Sequence, residues 1–117
     1  MRELFGGRVR FMITGSAPIN REVIDFMKIA VGCPIYEGYG QTESSGCSFI
    51  TLKQDPYSGH VGGPVSNTEF KLVDVPDMNY TALDIDELTK KPCPRGEICI
   101  RGPGVFKGYY KDPENTK

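Results

Sequence analysis

Residues 8–13 alternate, with Val9, Phe11 and Ile13 on one side and Arg8, Arg10 and Met12 on the other, which is the two-residue period of a β-strand. After a short loop at 14–18 the period changes. Val23, Phe26, Met27 and Ala30 follow the spacing of a buried helical face, leaving Arg21, Glu22, Asp25 and Lys28 mainly toward water. Asn20 is placed to cap the helix, with Ile19 and Ile24 as a hydrophobic staple across its start. Gly32 and then Pro34 end it in the order expected of a helix exit. Residues 34–39 are short and run into glycines, so they are read as a second strand.

Strand, helix and strand in so short a span make a βαβ crossover, which sets the two strands parallel and passes the helix over one face in a right-handed sense. The loops that follow the two strands, 14–18 and 40–43, then leave the sheet at the same carboxyl edge. Open α/β folds bind their ligands at that edge. Beyond Ser44 the pattern breaks into short β-like pieces at 47–52, 68–73 and 97–101, separated by Gly and Pro, which predicts an antiparallel or barrel-like subdomain. Residues 74–94 have no clear period and carry Asp77, Asp84, Asp86, Glu87, Lys90 and Lys91, so they are read as an exposed excursion. The fold class expected is α/β, with residues 1–66 as the end of an α/β subdomain and 67–117 as the start of a barrel-like one.

Composition narrows the classes without choosing among them. A chain of 117 residues with 38% hydrophobic content has material for one modest core, so one domain or a piece of one is the ceiling. A formal net charge of −1 suggests no nucleic-acid surface. Cys33, Cys47, Cys93 and Cys99 lack C-x-x-C spacing and His60 is the single histidine, which supports neither a zinc site nor a redox pair and favours free thiols in a reducing compartment. The longest apolar-rich run, residues 9–13, is far below the roughly 20 residues a membrane-crossing helix needs, and the N-terminus has no signal-peptide core.

The chemistry sits on the two loops. Tyr39-Gly40-Gln41-Thr42-Glu43, reached through Tyr36-Glu37-Gly38, sets an aromatic face, a hydroxyl and a carboxylate side by side, groups that suit a nucleotide and its metal. Tyr39 can stack on a purine or pack in the core with its hydroxyl bonded. Thr42 and Glu43 can serve a phosphate and Mg²⁺, or can simply open a helix, one capping and the other complementing its dipole. Gly15-Ser16-Ala17-Pro18 has small side chains that let backbone approach a flat ring, and Gly15 can adopt a positive φ. Gly59-His60-Val61-Gly62-Gly63-Pro64 reads first as a turn, and Arg101-Gly102-Pro103 with Gly108-Tyr109 as shaping the second subdomain, with Arg101 a weaker candidate for an anion contact.

In order and spacing, GSAP, YGQTE and the downstream Gly96-Glu97-Ile98, Arg101-Gly102-Pro103 and Gly108-Tyr109 resemble the adenylate-forming enzymes, and most closely the long-chain fatty acyl-CoA synthetases. The long-chain subgroup is favoured by YEGYGQTE, by Phe70-Lys71-Leu72-Val73-Asp74-Val75 leading to Met78-Asn79-Tyr80, and by GPGVFKGYY before Lys111-Asp112-Pro113. The resemblance implies an adenylate pocket formed by Gly15, Ser16, Ala17, Gly38, Tyr39, Gly40, Gln41, Thr42 and Glu43, with Thr42 meeting phosphate and Glu43 holding magnesium. It implies ATP, Mg²⁺ and coenzyme A as reactants or cofactors and a long-chain fatty acid as substrate. Such enzymes form an acyl-adenylate with loss of pyrophosphate, and the coenzyme A thiol then displaces AMP.

Family members are several times longer. Their Ser/Thr/Gly-rich phosphate loop, the Thr-Gly-Asp segment, the hinge and the C-terminal domain with its lysine have no counterpart in these residues, so the chain is read as a fragment with little or no ligase activity by itself. The resemblance also implies an intracellular enzyme, with membrane contact of an endoplasmic-reticulum kind only through regions outside this chain. A stand-alone adenine-nucleotide-binding regulatory module and a structural domain whose glycines only make turns are the competing readings.

Overall fold

The computed structural model describes residues 1–116. Its first unit is the expected crossover. Strand β1, Met12–Thr14, pairs in parallel with β2, Ile35–Tyr39, in the register Met12↔Ile35, Ile13↔Tyr36 and Thr14↔Glu37. Between them runs helix α1, Arg21–Val31. Asn20 caps it by accepting the Glu22 N–H on Oδ1 at 2.7 Å, and Gly32 closes it in the left-handed region at φ 68°.

Two details differ from the pattern. Strand β1 begins at Met12 rather than at residue 8, because pairing opens where the Met12 N–H donates to the Pro34 carbonyl at 2.9 Å, and proline has no N–H to carry the ladder further back. Phe11 and Ile13 are 54% and 61% exposed, while Met12 and Thr14 are half-buried, so the side bearing Phe11 and Ile13 faces outward. The helix is turned from the expected face by about one residue, or ~100°. Ile24 and Val31, each 1% exposed, form its buried stripe, whereas Val23 and Phe26 are exposed and Met27 and Ala30 only half-buried. The helix is apolar on two adjacent faces, so spacing alone selects neither.

Strand β3, Phe49–Ile50, is antiparallel as expected, but it extends the crossover sheet, and β4, Gly63–Pro64, lying in a stretch read as a turn, adds to its far edge in the order β1-β2-β3-β4. Tyr39 pairs with Phe49 and Gly38 with Ile50. The second sheet is a two-stranded antiparallel ribbon of β5, Glu69–Val73, and β6, Glu97–Arg101, and no closed barrel is present among the described residues. Three rings join the sheets: Tyr39 meets Phe49 edge-on at 5.8 Å and Phe49 meets Phe70 at 5.0 Å. Phe49, Ile24, Val31 and Cys33 are the buried apolar residues.

The excursion at 74–94 is exposed but ordered by its own hydrogen bonds. Asp84 accepts from the Thr81 hydroxyl at 2.9 Å and from Arg95 Nε at 2.7 Å, and the Arg95 guanidinium lies 4.8 Å from the centre of the Tyr80 ring. Among the described residues no helix is long and apolar enough to cross a membrane.

Candidate functional site

Parallel pairing delivers the ends of β1 and β2 to one edge, and a cavity of about 330 Å³ opens there. Gly15, Ser16 and Ala17 line it from one side and Gly38, Tyr39 and Gly40 from the other. A Cβ on Gly15 would lie 3.0 Å from the Gly38 carbonyl oxygen, so the first loop rests directly against the β2 backbone. The positive φ falls on Ser16, at 67°, and not on Gly15; what position 15 supplies is close approach. Gly40 is required more strictly, because a Cβ there would overlap the Gly46 carbonyl as the chain doubles back toward β3.

Gln41, Thr42 and Glu43 form the next turn and not the cavity wall. Thr42–Ser44 is a single 3₁₀ turn. It is closed by Ser44, whose Oγ accepts the Gln41 N–H at 3.2 Å and donates to the Gln41 carbonyl at 3.1 Å, so Thr42 is not the cap. Glu43 is half-buried, and its carboxylate Oε1 accepts the Tyr109 phenol. Its carbonyl accepts the Phe106 N–H at 2.9 Å. The 102–109 segment therefore does more than shape the ribbon: it reaches the YGQTE turn. Arg101 is engaged elsewhere, donating from Nε to Glu69 Oε2 at 2.9 Å across β5 and β6.

Two cavity residues were undervalued by sequence reasoning. Glu37 is 8% exposed and lines the cavity, with Oε1 accepting the Gly59 N–H at 2.7 Å and its own N–H donating to Thr51 Oγ1 at 3.0 Å. The signal was available, since Glu37 and Tyr39 are two apart on one strand and share a face. His60 also lines the cavity, held between Asp55 Oδ2, 3.2 Å from its Nε2, and the Gly62 N–H, which donates to its Nδ1 at 3.1 Å. The loop bearing it is tied to α1 by buried Ser58, which accepts from Lys28 Nζ at 2.7 Å and donates to Asp25 Oδ1 at 2.6 Å. Only this tertiary tie turns GHVGGP from a surface turn into a cavity wall.

With two small-residue turns converging on one rim, the chain belongs to the AMP-binding enzyme family, whose model matches residues 2–110. Within it, the chain is 52% identical over 118 residues to long chain acyl-CoA synthetase 7, peroxisomal, of Arabidopsis thaliana, covering 100% of this chain and 16% of that protein. It is 50% identical over 113 residues to long-chain-fatty-acid–CoA ligase 6 of Homo sapiens, covering 96% of this chain and 15% of the relative. Among solved structures, the A domain of carboxylic acid reductase from Segniliparus rugosus, in complex with AMP and a co-purified carboxylic acid, superposes with a TM-score of 0.69 at 36% identity over 97% of this chain and 16% of that one. The chain thus spans about 16% of the length of the relatives it matches.

Proposed function

We propose that this chain is the adenylate-binding segment of an ATP-dependent long-chain fatty acid–CoA ligase. The observation that carries the reading is the shared cavity of Gly15–Ala17 and Gly38–Gly40 at the carboxyl edge of two parallel strands. Adenine lies against the exposed side of the Tyr39 ring, with the backbone of the Gly15 loop closing on its other face. Glu37, on the same strand face, offers a carboxylate to the exocyclic amine. The Thr42 hydroxyl, left out of the turn's own cap, donates to a phosphate oxygen.

Glu43 suits Mg²⁺: Oε1 is taken by Tyr109, Oε2 remains, and the ion needs only one or two protein carboxylates beside water and substrate phosphates. When bound, the ion neutralises charge on the phosphates. No side-chain nucleophile is required, because attack by the fatty carboxylate on the α-phosphate depends on alignment and on charge neutralisation, and the coenzyme A thiol then releases AMP. We assign this activity to a whole enzyme of which such a segment is part, acting inside the cell on a fatty acid, ATP and coenzyme A. The boundary between its two subdomains falls near residues 65–68, between the last strand of the first sheet and the first of the second.

Calorimetry on the full-length enzyme with an acyl-adenylate analogue tests the pocket. Tyr39→Ala should weaken binding roughly tenfold, the usual worth of one base–aromatic stack. Glu43→Ala should slow adenylation on the order of 100-fold, as losing one electrostatic contact to the reacting group does. Unchanged binding and rate in both variants would remove the assignment.

A further inference from the structure

Glu43 sits on a turn of three residues, too short to fix a side chain by its own packing. It is fixed from outside. After β6 the chain folds back as a strap: the Ser45 hydroxyl donates to the Gly104 carbonyl at 2.7 Å, the Phe106 N–H donates to the Glu43 carbonyl at 2.9 Å, and the Tyr109 phenol donates to Glu43 Oε1. Main chain and side chain of one carboxylate-bearing residue are thus both held by a segment 60-odd positions away, the phenol contact spanning 66.

The aim of the phenol is itself built. The Phe106 and Tyr109 rings meet at 4.9 Å and 90°, an edge-to-face arrangement that sets the ring plane. The Tyr109 N–H donates to Thr116 Oγ1 at 2.9 Å, and that hydroxyl donates to the Asp112 carbonyl at 2.6 Å. Gly108 has φ 149°, and any Cβ there would collide with the Thr116 side chain, so glycine is what lets the strap close.

We propose that Tyr109 is a positioning residue that holds the Glu43 carboxylate for a divalent cation, occupying Oε1 and leaving Oε2 as the ligand atom. The proposal rests on the reading of Glu43 given above. A phenol suits the task for an electrostatic reason. It fixes the carboxylate without bringing positive charge, whereas a lysine or arginine at the same place would compete with the cation for it. Hydrogen-bonded partners of metal-binding carboxylates commonly govern metal affinity in this way.

The test uses Mn²⁺ as probe, with ATP, on the full-length enzyme, following the free-ion signal by electron paramagnetic resonance so that the readout is binding and not turnover. Tyr109→Phe keeps the ring against Phe106 and removes only the hydroxyl; it should raise the Mn²⁺ dissociation constant about tenfold. Restoring a hydroxyl-bearing ring is the rescue, so 3-fluorotyrosine at position 109 should return the affinity. If Glu43→Gln weakens Mn²⁺ binding but Tyr109→Phe does not, the positioning role is overturned and the metal assignment stands. If Glu43→Gln has no effect either, the metal assignment fails and the proposal with it.

Discussion

In the crossover, β1, α1 and β2 are held by parallel ladder bonds and by Ile24 and Val31 packed beneath the helix, while in the ribbon β5 and β6 are held by their own antiparallel ladder, with Phe70, Val73 and Ile98 still exposed. The crossover presents chemistry through backbone position: where two parallel strands end, two loops must meet. The ribbon presents chemistry through a side chain on a strap that returns from residue 102 to residue 109. One arrangement is dictated by topology and the other by a handful of specific contacts, so the two should fail differently.

The sharpest way to separate them is a pair of glycine substitutions. Gly40→Ala drives a Cβ into the Gly46 carbonyl, and Gly96→Ala drives one into the Val73 carbonyl at the base of the ribbon. Each should cost about 3 kcal/mol, the upper range for overpacking, read from the denaturant midpoint of the full-length enzyme. Only Gly40→Ala should also abolish nucleotide binding in the calorimeter. Equal loss of binding from Gly96→Ala would erase the distinction between the regions.

Ser48 probes the joint between β2 and β3 more gently. Its side chain is fully buried, and among the described residues its hydroxyl has no hydrogen-bond partner. Ser48→Ala should therefore stabilise the protein by up to ~1 kcal/mol, because it removes an unpaid desolvation cost and keeps the Tyr39 carbonyl bond made by the Ser48 N–H at 2.8 Å. A clear fall in the melting temperature would show that the hydroxyl is satisfied in solution.

The smallest effect is local and belongs to the excursion. The Thr81 N–H, then the Arg95 guanidinium and the Thr81 hydroxyl, hold the Asp84 carboxyl below the usual carboxylate range. A depressed folded-state value means stability that is fully present above the unfolded value of about 4 and is lost as pH falls through the folded one. Amide protection factors at Thr81 and Arg95, corrected for the intrinsic pH dependence of exchange, should fall as the solution is acidified below that point, ahead of those in β1 and β2, with little change in the global midpoint because the interaction is local to the surface excursion. Asp84→Asn should remove the pH dependence.

What could be read from the chain follows the same division. Asn20, Gly32 and Pro34 are local signals, and they set α1 and the start of β2 where expected. The crossover rule then brought Gly15 and Gly40 to one rim without any contact being known. Orientation was less legible: a helix with Val23 and Phe26 on one side and Ile24 and Val31 on the next offers two apolar faces, and only the sheet chooses. Membership of β3 in the first sheet depends on pairing across the YGQTE turn, which no periodicity reveals. The Tyr109–Glu43 contact is the extreme case, since nothing between the two residues announces it.

The Tyr39, Phe49 and Phe70 rings touch in series, and Phe49 is the buried middle member. They work as a short gear train. A rotation of the ribbon would carry Phe70 against Phe49, which is buried, and through it would press on Tyr39 at the rim of the cavity.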